Sequence, residues 1–340
     1  MNSVPNKKEF FSDIAVLRSL SVVAVVFFHT YGMMYAKDHF PDTQLVYHSI
    51  YYFVNQCVLM NIAMPVFIFI SGFLFYRQLS SGRYRSFREV FQKKTLHILV
   101  PYFVFGLVMM ATTDNFHPLK LLNGNYWHLW FLPMIYWCFI LSFTINGLWE
   151  RSLTTKLTIL AIFFITASFD QFLPNILGIQ YITSHFCWFI LGGMISTYKV
   201  QIMNIIRRYW FLIPFLLIYL GITIFLPVPY GETSWYLVLS QIAIVIFVWY
   251  TFNKICENPH IGKLLRPLVH LSKYSYGIYI FHNWIAVYLI SSTAQRLFHL
   301  VDLTDHTILF PLCFFICTFI LSLIVSKLLL STKVGKFLIG

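Results

Sequence analysis

The feature that most constrains this chain is a recurrence: runs of mostly apolar residues return along its whole length. A helix of about 20 such residues crosses the hydrocarbon core of a bilayer with every backbone hydrogen bond satisfied internally. Ten candidate runs are read, at 14–35, 54–76, 96–111, 129–148, 157–173, 182–198, 209–226, 235–252, 276–290 and 308–330. The third, fifth and ninth are the shortest or the most interrupted by polar residues. Composition agrees, because only 11% of the 340 residues are charged and 59% are hydrophobic, whereas soluble domains carry about 25% charged residues. The expectation is an all-α, polytopic transmembrane bundle of about ten helices forming a single domain over 1–340, with no soluble appendage.

Charge placement tests that count. With the N-terminus in the cytoplasm, only Lys37, Lys120 and Arg296 of the 24 basic residues fall on the far side, and Arg18 lies inside the first run. The rest, from Lys7 and Lys8 through Arg77–Lys94 to Lys333 and Lys336, fall in cytoplasmic loops. This follows the positive-inside rule and places both termini in the cytoplasm. The net charge of +12 is therefore a topology signal spread over every second loop, which argues against a nucleic-acid partner. Membrane lipid is the surrounding partner, and the longest basic loop suits either anionic head groups or an anionic cytoplasmic ligand. The six cysteines form no Cys-x-x-Cys pair and read as reduced packing residues. Residues 1–13 resemble the start of a signal peptide, but the following run is too long and lacks a cleavage site, so it is read as a retained helix.

Ionisable residues inside a span are costly, and Arg18 and His29 stand out. They are eleven residues apart, which at ~100° per residue brings them to within roughly 20° of one helical face, about 16 Å apart along the axis. That order suits an acyl-coenzyme A donor: a guanidinium near the cytoplasmic surface grips phosphate bidentately, and a neutral imidazole deeper in removes a hydroxyl proton. A snorkelling Arg18 and a His29 bonded to a neighbouring helix fit the spacing equally well.

Further candidates are weaker. Ser71-Gly72 is placed at the level of Arg18, where glycine permits close approach of a helix or a ligand. His128, with Trp127 and Trp130, reads as an outer aromatic belt or as a stacking site for a sugar acceptor. Tyr279 and His282 share a helical face near mid-depth, where His282 either orients His29, contacts a thioester or makes an interhelical hydrogen bond. His185 near Trp188 reads as interfacial packing. No metal-ligand spacing, Gly-rich phosphate loop or Ser-His-Asp order is present, so no metal is expected.

Asp13-Ile14-Ala15-Val16-Leu17-Arg18 running to Phe27-Phe28-His29 resembles the opening motif of the acyltransferase-3 family of integral membrane O-acyltransferases. Phe69-Ile70-Ser71-Gly72-Phe73-Leu74, Trp127-His128-Leu129-Trp130-Phe131-Leu132 and Ser275-Tyr276-Gly277-Ile278-Tyr279 with His282 resemble further family features, in the same order along the chain. Two departures are plain: Ala15 stands where the family carries Asp, and His97 stands where Arg is common before Pro101. The resemblance implies His29 as the essential catalytic histidine, with Arg18 beside it handling the donor. Lys93, Lys94, Ser71 and His97 are assigned to the donor as well, and His128, Trp130, Tyr279 and His282 to the acceptor. It further implies acetyl-CoA or another acyl-CoA as donor, a glycan or lipid-linked sugar as acceptor, and the bacterial inner membrane as location. An appended esterase-like domain is not expected, and a homo-oligomer is left open. The rival reading is a transporter or exporter of a glycan or anionic small molecule, for which an internal repeat is missing; a non-catalytic membrane partner is a third.

Overall fold

The computed structural model describes residues 11–35, 54, 59–112, 116–168, 172–206, 213–225, 235–287 and 309–340. Lys7, Lys8, Lys37, Cys57, Arg207, Arg208 and Arg296 lie outside the described residues. Among the described residues the protein is helical throughout, with no strand. The helices are α1 Ser12–Tyr35, α2 Met60–Ser80, α3 Phe87–Thr112, α4 Phe131–Thr144, α5 Leu153–Ile165, α6 Tyr181–Ile205 and α7 Ile213–Phe225. They continue with α8 Trp235–Glu257, α9 Pro259–Leu264, α10 Arg266–Leu271, α11 Ser275–Ile285, α12 Leu309–Ser331 and α13 Lys333–Ile339.

Among the described residues six stretches are long and apolar enough to cross a membrane: Ser12–Gly32, Asn61–Ser80, Phe87–Thr112, Pro118–Thr144, Tyr236–Glu257 and Pro311–Ser331. A helix occupies the middle of each of the ten runs read from the sequence. The run expected at 96–111 is extended nine residues towards the N-terminus, and local chemistry explains why. Ser86 Oγ accepts the Glu89 N–H at 3.3 Å, while Glu89 Oε2 reaches back to the Arg85 N–H at 3.0 Å. The Ser86 N-cap, with Glu89 holding the residue before it, starts the helix before the apolar stretch begins.

Helix α12 shows which solvent the fold is built for. Its exposed residues include Leu312, Ile316, Ile320, Leu321, Ile324 and Leu328, while Thr318, Ser322 and Ser326 are buried. That inverts the pattern of a soluble protein, where the apolar stripe turns inward. Ser322 and Ser326 donate to the carbonyls one turn back, each at 2.6 Å, so their hydroxyls enter the bundle satisfied. Small residues at a helix contact are how membrane helices approach one another. A Cβ on Gly277 of α11 would lie 2.6 Å from Ser326 Oγ, so the two helices meet there with no room between them. The protein is a multi-pass membrane protein.

The widest helix pairing is α2 on α6, and it is made by glycines. A Cβ at Gly72 would sit 2.0 Å from the Phe189 carbonyl oxygen, and one at Gly192 would sit 2.1 Å from that of Phe69. The closeness that Ser71-Gly72 signals is thus taken up by a helix. Asn61 of α2 and Gln241 of α8 add a buried side-chain hydrogen bond of 2.9 Å. Helix α1 lies against α2, α8, α10, α11 and α12, which places it inside the bundle.

Candidate active site

Arg18 and His29 sit on one uninterrupted helix. By helical rise His29 is about 25 Å from the first residue of α1 and about 9 Å from its last. The start of α1 is fixed by Asp13, whose carboxylate takes Lys199 Nζ of α6 at 3.3 Å and Asn253 Nδ2 of α8 at 2.6 Å. Asp13 is 4% exposed, so this ion pair clamps three helices at the basic end of the bundle. The residue after Arg18, Ser19, donates its Oγ–H to the Leu268 carbonyl of α10 at 2.5 Å. Arg18 itself is half-buried, and its guanidinium has no ion pair or hydrogen bond among the described residues.

The structure gathers two further histidines around His29. The ring of His29 lies 5.0 Å from that of His282 and 6.2 Å from that of His128, and the latter two are 4.9 Å apart, centroid to centroid. His282 arrives on α11, which packs on α1. His128 does not sit in an outer belt. Trp127 adopts a left-handed backbone conformation at φ 44°, rare outside glycine, which leaves Trp127 37% exposed and His128 3% exposed. The short turn Trp127–Trp130 thereby delivers the imidazole to the bundle interior.

Hydrogen bonding fixes two of the three tautomers. His128 Nε2 is 2.8 Å from the Ile280 carbonyl, and His282 Nδ1 is 2.6 Å from the Tyr279 carbonyl and 3.2 Å from that of Ile278. A carbonyl only accepts, so each of those nitrogens carries the hydrogen. The remaining nitrogens, His128 Nδ1 and His282 Nε2, are therefore lone-pair acceptors, buried and without a partner among the described residues. His29 is half-buried, and neither of its nitrogens has a partner among the described residues. Tyr279, expected at the acceptor, is buried, and its hydroxyl donates to the main-chain carbonyl of His128. It holds the His128 turn against α11.

The other expected residues lie elsewhere. Trp130 is half-buried against Tyr181 and His185, each 5.1 Å away centroid to centroid. His185 also stacks edge-on to Trp188 at 5.1 Å and shares its Nδ1 with Ser184 and the Tyr181 carbonyl. Ser71 Oγ donates to the Phe67 carbonyl at 2.9 Å, inside its own helix. Phe11 meets Phe73 edge-on at 5.4 Å, which sets Ser71 roughly 7 Å nearer the basic end than Arg18. Lys93 is exposed and pairs with Glu89 at 2.5 Å. Lys94 folds onto aromatic faces, its Nζ 3.5 Å from the Phe139 centroid, 5.5 Å from that of Phe75 and 5.6 Å from that of Tyr84. Burial pushes the Tyr84 phenol up. His97 is exposed. Pro101 has no N–H to give the carbonyl four residues back, and the Tyr276 hydroxyl of α11 takes that His97 carbonyl at 3.1 Å. No group of residues with metal-holding potential occurs among the described residues.

The Asp13–Lys199–Asn253 clamp and the aromatic seat of Lys94 were not read from the sequence. The partners are 186 and 240 residues from Asp13, and the only local signal is an isolated acid entering an apolar run.

Compared with known families, residues 11–330 match the family described as "Acyltransferase domain" (Acyl_transf_3). No curated protein matches the chain, and no solved structure does.

Proposed function

The chain belongs to this acyltransferase family, and on that premise we propose that it is an acyl-CoA-dependent membrane O-acyltransferase moving an acyl group, assigned as acetyl, to a hydroxyl of an envelope glycan or lipid-linked sugar. The whole chain works as one domain in the bacterial inner membrane, with ten crossings and the basic end of the bundle in the cytoplasm. The observation that carries the reading is His29: an imidazole with both nitrogens unspent among the described residues, held among two histidines of fixed tautomer, on the same helix as a guanidinium that likewise has no partner among the described residues.

Each part has a chemical task. Arg18 binds donor phosphate, since an unpaired guanidinium in a span is otherwise costly and matches phosphate in a bidentate way. Lys93 assists, because an exposed i,i+4 pair such as Lys93–Glu89 is worth only about 0.3–0.5 kcal/mol and exchanges readily for phosphate. Lys94, Ser71 and His97 shape the donor's wall through packing. The donor extends the ~16 Å from Arg18 to His29. There His29 takes the proton of the acceptor hydroxyl as its oxygen attacks the thioester carbonyl. The new C–O bond forms, the C–S bond breaks, and His29 returns the proton to the departing thiolate. Acyl thioester and alcohol become ester and free thiol. Trp130, beside Tyr181 and His185, offers the aromatic face on which a sugar ring stacks.

The test is acetylation of the cell-envelope glycans in cells lacking the gene and in the same cells carrying wild type or His29→Ala. The reading expects acetylation with wild type and none with His29→Ala, although the variant reaches the membrane at equal amount. Wild-type acetylation by His29→Ala overturns it.

A further inference from the structure

We infer that His282 is a positioning residue for His29: its Nε2 lone pair accepts the N–H of one His29 nitrogen, so that the other His29 nitrogen is presented as the base. The inference rests on the reading of His29 as base and adds how its tautomer is chosen.

Three observations lead there. His282 is wholly buried, at 0% exposure, and its Nδ1–H is already committed to the Tyr279 and Ile278 carbonyls. Its Nε2 can therefore only accept, and it has no donor among the described residues. Buried polar atoms are almost always paired, so a donor belongs at that position. Two rings adjoin it: that of His128, 4.9 Å away, has its N–H committed to the Ile280 carbonyl, whereas His29, 5.0 Å away, has both nitrogens without a partner among the described residues and lies nearer to His282 than to His128, at 6.2 Å.

A neutral imidazole carries one N–H and one lone pair, and left alone it exchanges them between its two nitrogens. A base must show its lone pair to the substrate. In the Ser-His-Asp arrangement a carboxylate makes that choice by holding the other nitrogen's hydrogen. Inside a membrane bundle a carboxylate at that place would be a costly buried charge, whereas an imidazole of fixed tautomer makes the same choice without charge. The contact also survives the reaction, because the hydrogen that His282 accepts is not the one that travels between acceptor and thiolate. His282 is itself fixed by the backbone of α11, and α11 is tied to the His128 turn through the Tyr279 hydroxyl, so the orienting nitrogen has little freedom.

The experiment compares two substitutions that divide the histidine's functions. His282→Asn keeps an N–H near Nδ1 for the Tyr279 carbonyl and removes the acceptor at Nε2. His282→Gln carries a carbonyl oxygen out to the position of Nε2 and gives up the backbone contact. Full-length protein in isolated membranes is given radiolabelled acetyl-CoA, with the host's envelope fraction as acceptor. Turnover should fall about 10²-fold in His282→Asn and stay within about fivefold of wild type in His282→Gln, with KM for acetyl-CoA unchanged in both. A merely structural His282 gives the opposite order, so His282→Asn matching or exceeding His282→Gln overturns the inference. Failure of the underlying reading looks different: wild type and His29→Ala then transfer label equally. If either His282 variant fails to accumulate, the ¹⁵N-histidine spectrum of the wild type decides, with the His29 signal assigned by its loss in His29→Ala. A single fixed tautomer at His29 supports the inference, and averaging between two overturns it.

Discussion

Replacing Gly72 with alanine should loosen the bundle where α2 crosses α6. The added Cβ would lie 2.0 Å from the Phe189 carbonyl oxygen, 2.7 Å from its carbon and 2.9 Å from its Cα, all of them backbone atoms. No rotamer change relieves such a clash, so the helices must part by about 1.4 Å to restore an ordinary contact at 3.4 Å. The crossing is reciprocal, because Gly192 meets the Phe69 carbonyl at 2.1 Å in the same way, and parting the helices weakens both contacts. Overpacking of this kind costs about 1–3 kcal/mol, partly offset by the ~0.8–1 kcal/mol that alanine gains over glycine in a helix. Gly221 of α7 is the control, since a Cβ there meets nothing within 4 Å. Gly221→Ala should keep the propensity gain and stabilise by about 0.5–1 kcal/mol. The assay is the temperature at which detergent-solubilised protein loses its monodisperse peak after heating, a kinetic stability compared at fixed heating time. Gly72→Ala is expected several degrees below wild type and Gly221→Ala at or above it. Gly72→Ala as stable as wild type, or Gly221→Ala falling equally far, refutes the close-crossing argument.

Asp13→Ala should be strongly destabilising, by about 2–4 kcal/mol, because it leaves the Lys199 ammonium without its carboxylate. The double variant Asp13→Ala/Lys199→Met should recover part of that loss in the same heating assay, and no recovery would contradict the pairing. Lys93→Ala should leave heat stability within ~0.5 kcal/mol of wild type yet raise KM for acyl-CoA, while an unchanged KM removes Lys93 from the donor site. Tyr279→Phe should cost about 1 kcal/mol for the lost hydrogen bond to the His128 carbonyl and lower turnover, as the turn that carries His128 loosens. Full turnover in that variant would show that the turn needs no such tie.

The helical runs, and the placing of Arg18 and His29 on one helix, were legible because both depend only on neighbours along the chain. The burial of His128 was not legible, because the left-handed backbone at Trp127 beside it leaves no mark on composition. The Gly72–Gly192 crossing was half legible: glycine announces close approach, but whether a helix or a ligand fills the space depends on a partner more than a hundred residues away. Lys93 and Lys94 read alike as basic residues before an apolar run. Lys93 meets Glu89 one turn back in its own helix, whereas only the tertiary fold brings Lys94 to the faces of Phe139, Phe75 and Tyr84.

The most direct test of the account is release of free thiol from acetyl-CoA by the purified full-length protein, measured for wild type and His29→Ala in the presence of the envelope fraction. The account predicts thiol release by wild type, in step with ester formation, and none above background by His29→Ala. No release by wild type, as a transporter would give, or equal release by both proteins contradicts it.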